Sequence, residues 1–436
     1  MIDQLYLASV QEVSPQVIER REVQESEKGL IHSKQAFRYE VVKSLPEEAN
    51  NFNEAFDYAK AFGTLRISWI DTDIGTNDAT TATALGGQFG FDTASFQGLK
   101  LHVAAYTSQK IPFLNPAASS QFNHDFFNNE GDSFTYLAET SLDYEDEKLF
   151  ARLGRIRIDT PYADSDDIRM APNTFEGVWS EYSIADTLTT QIYYLSRWAG
   201  FDSADEQNTF KALFETQDGD ESWGSIGASL SYTFNTDDEV SLWYYHIDKM
   251  SDIVYCEIAG HLKFSEHSHI EYGLQASHIE EIEESNIGGD VVGLMAIIDY
   301  ENFFFGLAGN YAFVDEDNSI TNGFGGGPYY TSLDESTIGF VSEQSPGVDV
   351  LSTRIGVGAN LQGIGIKGLT LELVHGQIQS TDKAEWFKEN DIAFTYEYED
   401  RVEMSAVFAN FDVHESKSSL ENSDFNRFLI RADYKF

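Results

Sequence analysis

Apolar and polar residues alternate along most of the chain. From Leu99 to Ala105 every second residue is apolar, and most of the residues between them are polar. A period of two residues is that of a β-strand with one apolar face. Such segments begin near residues 62, 82, 96, 133, 147, 176, 187, 222, 238, 251, 268, 289, 302, 350, 368, 389, 401 and 424, which makes 18. The pattern therefore predicts an all-β protein.

The connections between the predicted strands are of two kinds. Short turns rich in Asp, Asn, Ser and Glu include residues 144–146, 235–238 and 265–267, and the long connections are residues 109–132, 160–175, 200–221, 314–349 and 413–423. Membrane β-barrels have an even number of antiparallel strands, with short turns at one rim and long loops at the other. No apolar run approaches the ~20 residues of a membrane-spanning helix, whereas a barrel strand needs only about 9–11 residues. We therefore predict an 18-stranded antiparallel transmembrane β-barrel.

The first sixty residues follow a different pattern. We assign residues 1–61 to an N-terminal extension and residues 62–436 to the barrel. Pro15 and Pro46 bracket a segment that is compatible with a helix over residues 15–45. A periplasmic extension and a plug that enters the lumen remain alternative interpretations. Residues 1–10 lack the basic stretch and long apolar core of a secretory signal, so we expect that the signal was removed or that the gene start is truncated.

Charge and composition exclude several classes of protein. Seven of the 28 basic and eleven of the 73 acidic residues lie before residue 61, so the rest of the chain carries 21 against 62 and a net charge of −41. This charge argues against a nucleic-acid partner, because such binding depends on neutralising phosphates. Aromatic residues make up 14% of the chain, which excludes a disordered acidic protein. The single cysteine, Cys256, excludes an intramolecular disulfide.

Sequence motifs between the fifth and sixth predicted strands are more specific. Residues 153–161 read LGRIRIDTP and residues 167–177 read DIRMAPNTFEG. This stretch resembles the OprD family of Gram-negative outer-membrane porins, in which a GR…TP…RM.PN.FEG stretch forms a loop folded into the pore. Residues 84–90 resemble the glycine-rich second strand of that family, and residues 324–332 resemble its late inward loop. The resemblance covers residues 62–436 and implies a barrel with an inward-folded constriction loop, which passes small solutes by diffusion.

The resemblance also nominates pore residues. The candidate constriction consists of Asp159, Asp164, Asp166, Asp167, Arg169, Asn173 and Glu176, together with Arg152, Arg155 and Arg157 on the adjoining strand. The candidate late inward loop consists of Phe324, Gly325, Gly326, Gly327, Pro328 and Tyr329. Phe436 ends an alternating aromatic strand and resembles the assembly signal of outer-membrane barrels. Relatives carry a track of arginines along one wall of the lumen, but the few basic residues here put a preference for anions in doubt.

The charges of the candidate constriction suggest a class of solute. Carboxylates in a pore favour cations, and opposite charges across a narrow aqueous gap create a field that orients dipolar solutes. We therefore expect passage of small polar solutes, cationic or zwitterionic and similar to amino acids. We expect outer-membrane lipids as surroundings, no nucleic acid, no enzymatic activity, and a monomer or a trimer.

Some alternatives stay open. Asp71–Asp78 spaces oxygen ligands as calcium loops do, but it lacks the remote bidentate Glu of an EF-hand, so an ordinary Asp/Gly/Asn loop is the favoured interpretation and we expect no other cofactor. Single histidines, including His261 and His269, lie on separate strands, and this favours polar wall residues over metal ligands. A barrel enzyme or adhesin on the same scaffold and a soluble secreted all-β binding protein are the competing functions.

Overall fold

A closed ring of antiparallel strands forms most of the structure. The computed structural model describes residues 17–23, 38–44, 48–74, 79–203, 206–216, 218–235, 238–265, 267–334, 336–399, 401–415 and 424–436. Its long strands are β1 Lys60–Ile74, β2 Thr80–Asp92, β3 Leu99–Lys110, β4 Phe134–Glu145, β5 Leu149–Ile156, β6 Thr174–Ala185, β7 Leu188–Ala199, β8 Ser225–Phe234, β9 Asp238–Ile247, β10 Ser251–Ser265, β11 Ser268–Glu281, β12 Gly289–Tyr300, β13 Phe303–Val314, β14 Val350–Asn360, β15 Leu369–Ser380, β16 Glu385–Tyr398, β17 Val402–Glu415 and β18 Phe425–Lys435.

The predicted barrel of 18 strands is confirmed. Each strand pairs with its neighbours in the sequence, and β18 pairs with β1 from Phe425 opposite Ile74 to Lys435 opposite Thr64. Every predicted strand start lies within four residues of the observed one, and the largest difference is at β16, which begins at Glu385. One additional two-residue strand, Lys211–Ala212, pairs with β7. Because the ring is closed, the long strands leave no unpaired edge.

Alternation along the strands sorts the side chains into an outer and an inner face. In β11, Leu274 faces outward and is 54% exposed, whereas the adjacent Gln275 faces inward and is 5% exposed. Large exposed apolar side chains with the same outward parity occur on most other strands, including Leu242, Leu294 and Leu307. An apolar outer band around a polar interior is the pattern of a barrel whose outside contacts lipid.

The two rims of the barrel differ as predicted. The turn rim, where β1 begins and β18 ends, has short connections such as residues 146–148 and 301–302. The loop rim has the long connections at residues 111–133, 157–173, 200–224 and 315–349. Within these connections lie the 3₁₀ helices Pro112–Leu114, Ser119–Gln121 and Phe201–Ser203 and the helix Ile338–Gln344, and the 3₁₀ helix Leu361–Ile364 lies at the turn rim. The described residues include no helix with the length and hydropathy needed to cross a bilayer.

The N-terminal part contains strands where a helix was one interpretation. Val17–Val23 pairs antiparallel with Arg38–Ser44, so the helix over residues 15–45 is wrong for these segments. Both strands are rich in β-branched residues, which favour extended backbone. A short helix, Phe52–Asp57, follows and contacts the turn rim through a hydrogen bond from the Ala94 amide to the Ala55 carbonyl (2.9 Å).

Three sequence features lie wholly or partly outside the described residues. These are the first ten residues, residues 75–78 of the candidate calcium loop, and residues 416–423 of the predicted long connection at 413–423. The described N-terminal residues do not decide between a periplasmic extension and a plug that enters the lumen, so both stay predictions.

Candidate pore constriction

The loop at residues 157–173 between β5 and β6 folds into a small hairpin inside the barrel. Asp159–Thr160 pairs with Ala163–Asp164, and the Thr160 hydroxyl accepts a hydrogen bond from the Ala163 amide (3.2 Å). The Ser165 hydroxyl accepts a hydrogen bond from the Ile158 amide (3.0 Å), which closes the base of the hairpin. These local bonds place Tyr162 at the tip of the loop.

Tyr162 fixes the tip against the far wall. Its side chain is 1% exposed, and its ring centroid lies 5.4 Å from that of Tyr245 on β9 and 6.0 Å from that of Tyr255 on β10. The Tyr162 and Tyr329 hydroxyls are 3.0 Å apart. Burial raises the pKa of Tyr162 to about 12, so the phenol stays protonated and neutral at physiological pH. Aromatic packing therefore holds this half of the loop.

Asp167 clamps the other half of the loop to the opposite wall. Arg66 of β1 donates to both carboxylate oxygens of Asp167, at 2.6 and 2.7 Å, and to both oxygens of Asp433 on β18, at 2.8 and 2.7 Å. Arg431 of β18 donates to the Asp167 carbonyl at 2.6 Å. Bidentate guanidinium–carboxylate pairs are among the stronger and more directional ion pairs in proteins. We call this group of Arg66, Asp167, Arg431 and Asp433 the clamp.

The electrostatics of the clamp favour the charged form of Asp167. Burial by itself would raise the pKa of this carboxyl, but the charge and hydrogen bonds of Arg66 outweigh burial and hold the pKa well below its usual range. A group with a lowered folded-state pKa stabilises the protein above its unfolded pKa, about 3.9 for Asp. That stabilisation is lost as the pH falls through the folded value.

We therefore expect the clamp to resist moderate acid. The conductance of the barrel in planar bilayers should show no step attributable to the clamp from neutral pH down to about pH 4, and such a step should come only well below about 3.9, the ordinary pKa of Asp, where Asp167 takes up a proton. Asp167→Asn lacks this titration, so its conductance should show no step attributable to the clamp. Single-channel recordings over this pH range test the prediction. An acid step of equal size in both proteins would contradict it.

A second loop meets the first inside the barrel. In the loop at residues 315–349, the Phe324 carbonyl accepts a hydrogen bond from the Asp164 amide (2.8 Å), and the Phe324 amide donates to the Tyr162 carbonyl (3.0 Å). Gly323 has φ +78°, and a Cβ there would lie 2.3 Å from the Tyr162 carbonyl oxygen. Glycine is therefore required for this close approach. We call these two hydrogen bonds the loop seam.

The late loop is anchored to the barrel wall as well. Glu389 of β16 accepts hydrogen bonds from the Asp334 amide (3.0 Å), the Ser336 amide (3.2 Å) and the Ser336 hydroxyl (2.6 Å). Asp334 also pairs with Arg427 of β18. The Tyr330 hydroxyl donates to Glu257 of β10. The two loops together thus form a bridge across the lumen.

A charged cavity of about 320 Å³ lies between the constriction loop and the wall formed by β1, β2, β3, β17 and β18. Its basic lining residues are Arg66, Arg157, Arg431 and Lys435, and its acidic lining residues are Asp167, Glu403 and Asp433. The lining is therefore nearly balanced in charge, in contrast to the strongly acidic chain as a whole. Such a lining offers both donors and acceptors to a small polar solute.

Only some of the nominated constriction residues face this space. Asp167 and Arg157 line the cavity, and Asp159, Asp164 and Asp166 lie on the inward loop. Arg152 lies on the inner wall, 3.4 Å from Asp143. The hairpin that brings the aspartates inward is itself held by Asp159, whose carboxylate accepts a hydrogen bond from the Ser165 amide (3.2 Å).

Arg155 and Glu176 require a correction, because they lie on the outer wall. They are opposite each other in the register of β5 and β6, and their side chains pair at 2.9 Å. Arg155 lies on the same face of β5 as Leu153, and Glu176 lies on the same face of β6 as Val178. Leu153 and Val178 are both exposed on the outside of the barrel. Strand alternation therefore keeps Arg155 and Glu176 away from the pore.

Arg169 and Asn173 require a second correction, because both are buried behind the loop. Arg169 is 1% exposed, pairs with Asp125 at 3.1 Å and lies over the Phe201 ring. Asn173 donates to Asp202 at 2.6 Å. These contacts attach the constriction loop to the neighbouring loops at residues 111–133 and 200–224. Both residues therefore position the loop rather than contact passing solutes.

Sequence reasoning did not nominate Arg66, Glu403, Arg431 or Asp433. A signal was available for β18, where Arg431 and Asp433 alternate with the outward Ile430 and thus had to face inward. No comparable signal linked them to Arg66, whose partner depends on the closure of the barrel between β18 and β1.

Phe436 lies at the closure of the barrel. Its amide donates to the Gly63 carbonyl (3.0 Å), and its carbonyl accepts from the Gly63 amide (3.1 Å). Its ring is 54% exposed and packs near Phe89 and Tyr434. The proposed role of Phe436 in assembly stays a prediction.

Comparison with known proteins identifies the fold. No family model and no curated protein sequence matches the chain. Among solved structures, OpdK from Pseudomonas aeruginosa with vanillate is 16% identical, with a TM-score of 0.73 over 87% of this chain and 99% of that chain. OccAB4 from Acinetobacter baumannii is 15% identical, with a TM-score of 0.72 over 87% and 98%. A BenF-like porin from Pseudomonas fluorescens is 14% identical, with a TM-score of 0.72 over 88% and 100%.

A closed antiparallel barrel with an apolar outer band and a polar interior is the architecture of bacterial outer-membrane β-barrels. This chain has the fold of the solved OprD-type porins, also called Occ porins. The resemblance drawn from the sequence motifs is therefore confirmed at the level of the fold.

Proposed function

We propose that this protein is an outer-membrane porin that passes small cationic or zwitterionic solutes by diffusion. The observation that carries the proposal is the cavity beside the constriction loop, where the clamp places two arginines and two aspartates side by side. Opposite charges in a confined aqueous space orient a dipolar solute, and low-dielectric walls strengthen their field. A barrel enzyme, an adhesin and a soluble binding protein receive no comparable support, and an apolar outer band is unfavourable in water.

The acidity of the barrel region supports the cationic part of the proposal. Its net charge of −41 raises the local concentration of cations near the lumen. The nearly balanced cavity lining supports the zwitterionic part, because it offers arginines to a carboxylate and carboxylates to an ammonium group.

Reversal potentials test this selectivity. In planar bilayers with a KCl gradient, we expect a potential of the sign that indicates cation preference. Glu403→Gln, which removes a lumen carboxylate, should reduce that preference. Glu147→Gln, an exposed carboxylate in the turn between β4 and β5, is the matched control and should leave it unchanged. Anion preference of the wild-type channel would refute the proposal on charge selectivity, and a complete lack of conductance would refute the porin itself.

Solute uptake tests the zwitterionic part separately. Proteoliposomes should swell faster in glycine or lysine than in a dicarboxylate of similar size, because the net charge of −41 on the barrel region repels the dianion. Equal rates for all three solutes would indicate a pore without charge discrimination. Arg431→Gln should slow glycine relative to lysine, since both solutes lose a donor to their carboxylate but the cationic lysine also loses a positive charge that repels it.

A further inference from the structure

Two histidines and two carboxylates meet on the inner wall near the turn rim, away from the constriction. His261 of β10 is opposite Glu271 of β11 in the register, and His269 of β11 is opposite Asp299 of β12. All four have the inward parity of Gln275 and Ser277, so they share one face of three adjacent strands. The closure of the sheet thus brings together groups that lie far apart in the sequence.

The distances within this cluster match those of a metal-binding site. His261 Nε2 lies 3.5 Å from Glu271 Oε1, His269 Nε2 lies 3.6 Å from the same oxygen, and His269 Nε2 lies 3.3 Å from Asp299 Oδ2. One ligand atom from each of His261, His269 and Glu271 lies within 4.8 Å of the other two. Zinc bonds of about 2.0–2.1 Å in a tetrahedron separate the ligand atoms by about 3.3 Å. Only small side-chain movements would therefore enclose a metal ion.

The surroundings favour a rigid and accessible site. Glu271 is 8% exposed, and the Asp238 carboxylate accepts a hydrogen bond from the His261 amide (3.0 Å), which holds the backbone at that residue. Asp299 also lines a cavity of about 320 Å³ at this rim, through which an ion could reach its carboxylate. A preorganised set of ligands with an entry path is what a metal site needs.

The charge of the cluster also suits a dication. Glu271 and Asp299 together carry two negative charges, which balance a divalent ion bound by two neutral imidazoles. The neighbouring inward charges are Lys263, opposite His269, and Glu239, opposite Ala259 beside His261. Because Lys263 and Glu239 have opposite charges, they add no net charge to the surroundings of the cluster. A hydrogen-bonded cluster without metal is the competing explanation for the same contacts.

We propose that His261, His269 and Glu271, with Asp299 as the fourth ligand, bind a first-row divalent metal ion such as Zn²⁺ on the lumen wall. Imidazole nitrogens select Zn²⁺, Ni²⁺ or Cu²⁺ over Mg²⁺ and Ca²⁺, which prefer oxygen ligands. This inference revises the sequence-based expectation that these histidines are only polar wall residues. It concerns binding to the barrel and does not depend on which solutes the porin transports.

Calorimetric titration of the chelator-treated barrel in detergent with Zn²⁺ tests the proposal. With Mg²⁺ in excess, we expect one saturable Zn²⁺ site per chain. His261→Asn and His269→Asn should each weaken binding at least about tenfold. Glu271→Gln, which keeps the shape of the side chain, should weaken it in the same direction.

A histidine elsewhere on β11 provides the matched control. His278 pairs with Asp290 at 2.8 Å and has the outward parity of Leu274, so His278→Asn should leave Zn²⁺ affinity unchanged. Heat-modifiable gel migration checks that each variant is folded. The proposal is overturned if the wild-type barrel has no saturable Zn²⁺ site, if excess Mg²⁺ abolishes binding, or if the folded His261→Asn and His269→Asn variants bind as tightly as wild type. None of these results would affect the porin proposal, which is tested by conductance.

Discussion

Arg66→Met is expected to release the constriction loop and to destabilise the barrel by about 3–5 kcal/mol, the usual cost of removing one partner from a buried ion pair. Arg66 is 5% exposed and is bonded to both Asp167 and Asp433. Methionine fills a similar volume but leaves the buried Asp433 carboxylate without the guanidinium that faces it. Single-channel conductance should rise as the loop leaves its position, and the temperature of the heat-modifiable gel shift should fall.

Two further variants separate the clamp from a general effect of charge. Arg66→Lys should recover part of the stability, because an ammonium keeps the charge but cannot make the bidentate bonds of a guanidinium. Arg401→Met makes the same charge change at an exposed turn between β16 and β17, and we expect it to alter stability by no more than about 0.5 kcal/mol. If Arg66→Met has the conductance and stability of Arg401→Met, the clamp does not hold the loop.

Gly323→Ala is expected to open the loop seam. The new Cβ would lie 2.3 Å from the Tyr162 carbonyl oxygen, so one loop must move away from the other. The left-handed backbone itself costs about 1–2 kcal/mol for alanine, and loss of the two seam hydrogen bonds adds about 0.5–1.5 kcal/mol for each. We expect a lower unfolding temperature together with frequent current fluctuations in single-channel recordings, since the late loop is no longer tied to the constriction loop.

Gly365 offers a close control for this substitution. It has φ +92°, and a Cβ there would have no atom within 4 Å. Gly365→Ala therefore tests the backbone cost alone, about 1–2 kcal/mol, without any steric clash. We expect it to destabilise the barrel slightly and to leave the current quiet. Equal fluctuations in the two variants would show that the seam does not control the loops.

Much of the barrel was predictable from the sequence because strand parity is a local property. The outward Leu274 and the inward Gln275 are neighbours in the chain, and a period of two residues places them on opposite faces wherever the strand lies. The same rule places Arg431 and Asp433 inward once β18 is recognised, although the sequence analysis did not nominate them as pore residues. The N-terminal strands are not predictable from the two prolines, which favour helix boundaries, whereas the valines and isoleucine of this segment favour the extended backbone that the structure has.

The constriction was predicted less well, since a motif identifies a loop but not the direction of its side chains. The hairpin at Asp159–Asp164 does enter the lumen, yet Arg169 and Asn173 of the same motif point back into the neighbouring loops. Arg155 was grouped with the pore by its position in the motif, while its alternation with Leu153 placed it outside. Strand alternation therefore predicts the direction of a side chain more reliably than its position in the motif does.

The sequence by itself determined the number of strands, the face on which most strand residues lie, and the loops that are long enough to fold inward. Each of these properties depends on residues close together in the chain. The tertiary structure alone decided which charges meet: Arg66 reaches Asp167 across 101 positions and Asp433 across 367. These contacts exist because the ring closes between β18 and β1 and because one loop crosses the lumen, and neither event leaves a local periodicity in the sequence.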